Sequence, residues 1–234
     1  MDQITQLFDR MDSWRHLPNY QLERRADLLF SLYLPEVLKE KLGFAIMPDL
    51  IPEFPLRIGT IYPKTDSNRS FKIDYLALST DGKQAVFVEL KTDGGSLNKK
   101  QNEYLAAAKQ TGLFTLLEGL LTIFKATDAK RKYSHLLNAL GQMGLLDIPN
   151  TMYDIIARDS LQGITEASGD IRVTCAVQQG HIIYVQPNGQ GPDIISFDDF
   201  RTVVLRHDDT VSSRFAQSLQ EWTNVSAGTR PLSR

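Results

Sequence analysis

Apolar residues in the first part of the chain recur at helical intervals. Over residues 21–42 they fall at Leu28, Leu29, Leu32, Val37, Leu38 and Leu42, with Gly43 just beyond, which predicts one long helix and its stop. Pro35 lies inside that stretch and predicts a kink or a split into two helices. A segment punctuated by Pro48, Pro52 and Pro55 then leads to a short first strand over residues 54–60, where the prolines suit a sheet edge.

The period changes at residues 71–79 and 84–92. Both runs are rich in strand formers, and Thr80-Asp81-Gly82-Lys83 between them carries the Asp-Gly mark of a tight hairpin turn. Gly94-Gly95-Ser96 reads as a connection into a helix over residues 97–124, with apolar positions at Leu105, Ala108, Leu116, Leu117, Leu120 and Phe124. Gly112 and Gly119 are weak points in it. Asp128 is placed to cap a third helix ending near Gly144, and a short helix is expected near residues 153–158. Residues 171–178 and 181–186 alternate like strands across Gln179-Gly180 and predict a second hairpin. A capped turn at residues 196–200, a last helix over 212–222 and a flexible tail at 223–234 complete the order. The sequence α, β, β, β, α, α, β, β predicts a single α/β domain over residues 1–222, with helices packed on a small mixed sheet.

A turn centred on Asp81-Gly82 pairs residues equidistant from it, so Asp74 is expected opposite Glu89 and Lys72 opposite Lys91. Lys72, Asp74, Glu89 and Lys91 then share one face as a polar cluster. Ile73, Tyr75 and Ala77 share the other with Val86, Val88 and Leu90. Opposed carboxylates repel unless a positive charge stands between them. A divalent cation such as Mg2+ or Mn2+ answers that need, and a neighbouring lysine could orient a water. Diagonal salt bridges to Lys72 and Lys91 on an exposed sheet face answer it equally well.

Composition narrows the setting. The formal charge of −2 leaves any nucleic-acid surface to local asymmetry. Residues 99–132 supply some, with seven basic residues (Lys99, Lys100, Lys109, Lys125, Lys130, Arg131, Lys132) against three acidic ones (Glu103, Glu118, Asp128). A solvated helix face explains the same charges. A single cysteine, Cys175, rules out an internal disulfide and a cysteine-based zinc site, and its apolar surroundings suggest a structural thiol. The four histidines, His16, His135, His181 and His207, have no ligand spacing. No apolar stretch is long enough for a bilayer, and the start of the chain lacks a secretory pattern, so a cytoplasmic protein with no membrane partner is expected.

Ile73-Asp74 on one strand and Phe87-Val88-Glu89-Leu90-Lys91 on the next resemble the PD-(D/E)xK signature of restriction endonucleases and related nucleases, although Ile73 stands where the motif has proline. The order of elements is similar to that superfamily's restriction-endonuclease-like αβββαβ core. The resemblance implies a metal-dependent nuclease acting on DNA, with Asp74 and Glu89 as ligands of Mg2+ or Mn2+ and Lys91 activating or orienting the attacking water. It also implies a helix glutamate at the metal, either Glu36 or Glu23. Glu36 is slightly favoured because an unpaired carboxylate among apolar residues is costly. Gln101 and Tyr104 are similar to the glutamine and tyrosine that follow the lysine in RecB-type nucleases, though a surface glutamine and a core tyrosine explain them too. Restriction-type relatives often dimerise, so a homodimer is part of the expectation. The alternative is a catalytically inactive member of the fold serving as a nucleic-acid-binding or protein-interaction module.

Overall fold

The structure is a computed structural model that describes residues 2–92, 99–158 and 161–226, with side chains as far as Thr223. It opens with α1 (Gln3–Trp14) and α2 (Leu22–Leu42), then β1 (Ile51–Arg57), a single-turn α3 (Ile58–Ile61), β2 (Ser70–Leu78) and β3 (Gln84–Leu90). Three helices follow, α4 (Lys99–Thr111), α5 (Leu113–Ala126) and α6 (Lys130–Gln142). Short elements β4 (Leu146–Asp147), α7 (Asn150–Ala157), α8 (Ile164–Ser168) and β5 (Arg172–Val173) precede β6 (Gln179–Gln186) and β7 (Ile194–Ser196). The last two helices are α9 (Phe197–Val204) and α10 (Thr210–Ser226). Five strands form one sheet in the order β1-β2-β3-β6-β7, while β4 and β5 pair separately. Because β1 and β2 are antiparallel and β6 and β7 parallel, the sheet is mixed. The protein is therefore mixed α/β, a five-stranded sheet flanked by helices. Among the described residues no helix is long and apolar enough to cross a membrane.

The chain divides into two compact units, Met1–Ile46 with Val88–Asn98 and Ile183–Arg234, and Met47–Phe87 with Lys99–Ile182. The core of the first is aromatic. Phe30 of α2 meets Phe197, Phe200 and Phe215 with ring centroids 5.4, 5.0 and 5.1 Å away, spacings at which aromatic pairs attract beyond their area. Trp222 and Phe8 complete this cluster. α2 runs unbroken through Pro35, and its buried face is Ala26, Phe30, Tyr33, Leu34, Val37 and Leu38. The apolar stripe expected through Leu28 and Leu32 instead points outward, 74% and 64% exposed. Of the two leucine-bearing faces, the one carrying the rings is buried, since it removes the larger apolar area from water. α1, absent from the predicted elements although Ile4, Leu7, Phe8 and Met11 recur at helical spacing, is tied to α10 by Asp12. Its carboxylate accepts from Trp222 Nε1 at 2.8 Å and Ser218 Oγ at 2.9 Å. The capped turn at Ser196 is a full capping box opening α9, with Ser196 and Asp199 each accepting from the other's backbone N–H.

The second unit contains the hairpin turn. Ser79 N donates to Gln84 O at 3.0 Å, the pairing expected from equidistance. The turn itself is not the two-residue form: Gly82 N donates to Ser79 O at 2.9 Å, so Asp81 and Gly82 occupy its third and fourth positions. Gly82 supplies the positive φ of 69° that closes it. Asp81 accepts from Ser79 Oγ and from the Lys83 amide, which hold its carboxyl below the usual 3.8. The predicted helix over 97–124 is two helices, broken at Gly112, whose φ of 83° and ψ of 148° lie outside helical space. Gly119 stays inside α5, where a side chain would collide with Thr60 Oγ1. All six apolar positions expected in this stretch are buried. Asp128 does not cap α6; the residue before that helix is Ala129, whose amide donates to Thr127 Oγ1.

The second predicted hairpin does not form. β5 pairs antiparallel with β4 instead, Leu146 opposite Val173. Thr174 fastens the segment there, its amide donating to Leu145 O and its hydroxyl to Gly144 O, both at 3.0 Å. β6 takes its place between β3 and β7. Cys175 consequently lies outside any strand, half-buried, with its thiol pushed up by burial and so poorly suited to nucleophilic work. The Gly94-Gly95-Ser96 connection and residues 227–234 of the expected tail lie outside the described residues.

Candidate functional site

β3 is the middle strand of five, and its run from Ala85 to Leu90 is buried throughout. A strand covered on both faces loses the in-and-out alternation, which is why an apolar run carries this one. Glu89 interrupts it. Two residues on, Lys91 points to the same side, and its Nζ donates to Glu89 Oε1 at 2.7 Å. Their side chains are only 3% and 8% exposed. The Lys91 amide donates to Val185 O at 2.8 Å, so the backbone is fixed against β6 where the lysine departs. Removing two charges from water costs several kcal/mol per ion in real proteins, and mutual attraction does not reliably return it. Stability alone is therefore a poor reason for this pair.

Tyr184 of β6 belongs to the same neighbourhood. Burial raises its phenol above the usual 10, and the negative charges of Glu89 and Asp193 raise it further. Thr92, the residue after Lys91, lines a cavity of about 350 Å3 with Arg15, Tyr20, Gln21, Leu22, Glu23 and Arg24. Of the two helix glutamates considered from sequence, Glu23 is thus the one beside Thr92. Glu36 is not among apolar groups as expected: its Oε2 lies 2.9 Å from His207 Nε2 and its Oε1 3.5 Å from Arg206. It is part of an exposed ion-pair network that Glu40 completes on Arg206, and the reason for preferring it disappears.

Asp74 stands half-buried on β2 between buried Ile73 and Tyr75, which pair with Phe54 and Pro52 of β1. The intervening β1 residue, Glu53, has a φ of 52° and accepts from Lys72 Nζ at 2.7 Å. Lys72, 60% exposed, is therefore engaged by Glu53, which replaces the diagonal pairing with Glu89 considered from sequence. Gln101 sits half-buried on α4. Tyr104 is a core tyrosine, stacked on Phe71 with centroids 4.6 Å apart and donating to Lys72 O at 3.2 Å. Of the seven basic residues at 99–132, Lys130 closes the end of α5 by donating to Phe124 O and Lys125 O, and Lys100 lies 5.4 Å over Phe71. Among the described residues no three His, Cys, Asp or Glu side chains form a metal-holding group.

Tyr184, Arg15, Tyr20, Arg24 and Thr92 were not singled out from sequence. Tyr184 gives no signal beyond strand alternation, whereas the segment before Arg15 and Tyr20 did carry one: Ile4, Leu7, Phe8, Met11 and Trp14 recur at helical spacing and mark the helix that Arg15 follows.

Fold and site together define a mixed α/β protein with a buried carboxylate–lysine pair on its central strand and a polar cavity one residue beyond. Comparison with family models, with curated proteins and with solved structures returned no match.

Proposed function

We propose that this chain is a metal-dependent nuclease of the restriction-endonuclease-like type that hydrolyses phosphodiester bonds in DNA. Asp74 and Glu89 hold Mg2+ or Mn2+ in this reading, and Lys91 positions the attacking water. The observation that carries it is the Glu89–Lys91 pair, two charges held out of water on the central strand where a stabilising role is a weak explanation. The hairpin register expected from the sequence pairs Asp74 with Glu89 and supports their sharing a cation in this reading.

The donor set fits the cation. Mg2+ is commonly held by one or two carboxylates, with waters and substrate phosphate completing its octahedron, so no third protein ligand is required. When bound, the cation supplies Lewis-acid stabilisation and a more acidic water. Lys91 has three ammonium protons. One is engaged by Glu89; in this reading another orients a water or a phosphate oxygen. Gln101 is assigned an auxiliary role toward the substrate strand. A cytoplasmic homodimer is the assembly that goes with this function.

A second reading has its own observation. The Lys91 ammonium already neutralises Glu89 without any cation, as it would in a catalytically inactive module for nucleic-acid or protein binding. Isothermal titration with Mn2+, followed by cleavage assays on plasmid and single-stranded DNA, separates the two. The nuclease reading expects the wild type to bind Mn2+ and cut, and Asp74→Ala to lose both while remaining folded. Undiminished cutting by Asp74→Ala removes the assignment, and a wild type that neither binds Mn2+ nor cuts leaves the inactive module.

A further inference from the structure

We propose that the cavity bounded by Arg15, Tyr20, Gln21, Glu23, Arg24 and Thr92 is a phosphate site that takes one nucleotide of a single DNA strand. The proposal deepens the nuclease reading and rests on it for the identity of the strand.

Two arginines, Arg15 and Arg24, line this cavity with one acidic residue, Glu23. Guanidinium presents a planar fork of N–H donors that matches phosphate oxygens in pairs, which a lone ammonium does not. Arg15 is held in direction by Trp222, whose ring lies 5.8 Å from its guanidinium carbon, so part of the cost of ordering an anion-binding side chain is met before the ligand arrives. Tyr20, Gln21 and Thr92 add neutral polar groups. The first turn of α2 also faces the cavity through Leu22, Glu23 and Arg24, and the Gln21 side chain does not cap it. The start of a 21-residue helix therefore adds positive potential to that of the arginines.

Size and surroundings choose the ligand class. About 350 Å3 is near the lower end of the range for small-ligand sites, about 300–1,000 Å3, room for one nucleotide and not for a duplex. Tyr20 packs edge-on to Trp14 at 6.2 Å, and Trp14 is 45% exposed, so an aromatic surface is available for a base. Thr92 directly follows Lys91, and adjacent Cα atoms are about 3.8 Å apart. The cavity therefore begins one residue along the chain from the buried pair.

The test is fluorescence anisotropy with a labelled oligothymidylate and full-length protein in EDTA, where nothing is cut. Arg24→Ala is expected to weaken binding about tenfold and to lower the dependence on salt by about one counterion. Arg24→Lys, which keeps charge but loses the fork, falls in between, and Glu23→Gln binds more tightly. Thymidine 5′-monophosphate and inorganic phosphate should compete with the wild-type complex, the oligonucleotide binding more tightly than either. A monophosphate that binds as tightly as the strand would make this a free-nucleotide site and overturn the strand assignment. Equal binding by wild type and both Arg24 variants, or no competition by phosphate, overturns the site itself. Arg24-dependent binding in EDTA by a protein that also fails to cut when Mn2+ is supplied would sink the nuclease reading and leave the phosphate site standing.

Discussion

Burying Glu89 and Lys91 together leaves each dependent on the other. Lys91→Ala strands a carboxylate in a site 3% exposed, and breaking such a pair costs about 3–5 kcal/mol. Replacing both partners, Glu89→Gln with Lys91→Met, removes the charge and should recover most of that loss. Urea unfolding of the two variants checks this through the transition midpoint. Equal destabilisation by the single and double changes would show that packing, and not charge, holds this strand end. At this scale the sequence was informative where spacing alone decides orientation, as for two residues two apart on a strand. Lys72 was not legible in the same way, because its partner Glu53 comes from a different strand and sits at a φ of 52° that no alternation pattern announces.

Elements show the same division. Asp12 links α1 to α10, and burial raises its carboxyl above the usual 3.8, against the hydrogen bonds from Ser218 and Trp222 that lower it. The folded state therefore binds this proton more readily than the unfolded chain. Its contribution to stability is complete below about pH 3.8 and is lost as pH rises through the raised folded value. Asp12→Asn cannot titrate there, so melting temperatures across the acid range should move in favour of the variant as pH rises. Parallel curves would mean that Asp12 is not buried in solution. The hairpin was legible because Asp-Gly marks the turn and equidistance sets the pairing. Its turn type was not, because Asp81 hydrogen-bonds to Ser79 and Lys83 and pulls Gly82 into the closing position. The buried face of α2 was legible only in part, through Val37 and Leu38, for a related reason. Leucines mark an apolar stripe, but which stripe faces inward depends on the rings of Phe197, Phe200 and Phe215, far along the chain.

For the whole molecule, the nuclease reading makes cation binding a folding equilibrium. A ligand that binds only the native state stabilises it by about 2.7 kcal/mol at a hundred times its dissociation constant. Mn2+ should therefore raise the melting temperature of the wild type and leave Asp74→Ala unchanged. A wild type insensitive to Mn2+ fits the inactive module. The sequence by itself determined the α/β class, the β2–β3 hairpin, most helices and the charged pair on β3, because periodicity, turn residues and two-residue spacing are local properties. Only the tertiary structure decided the pairing of β5 with β4, the place of β6 beside β3, and the gathering of Arg15, Glu23 and Arg24 around Thr92. Those features join segments distant in sequence, and their energies come from hydrogen bonds and burial that exist only once the chain has folded.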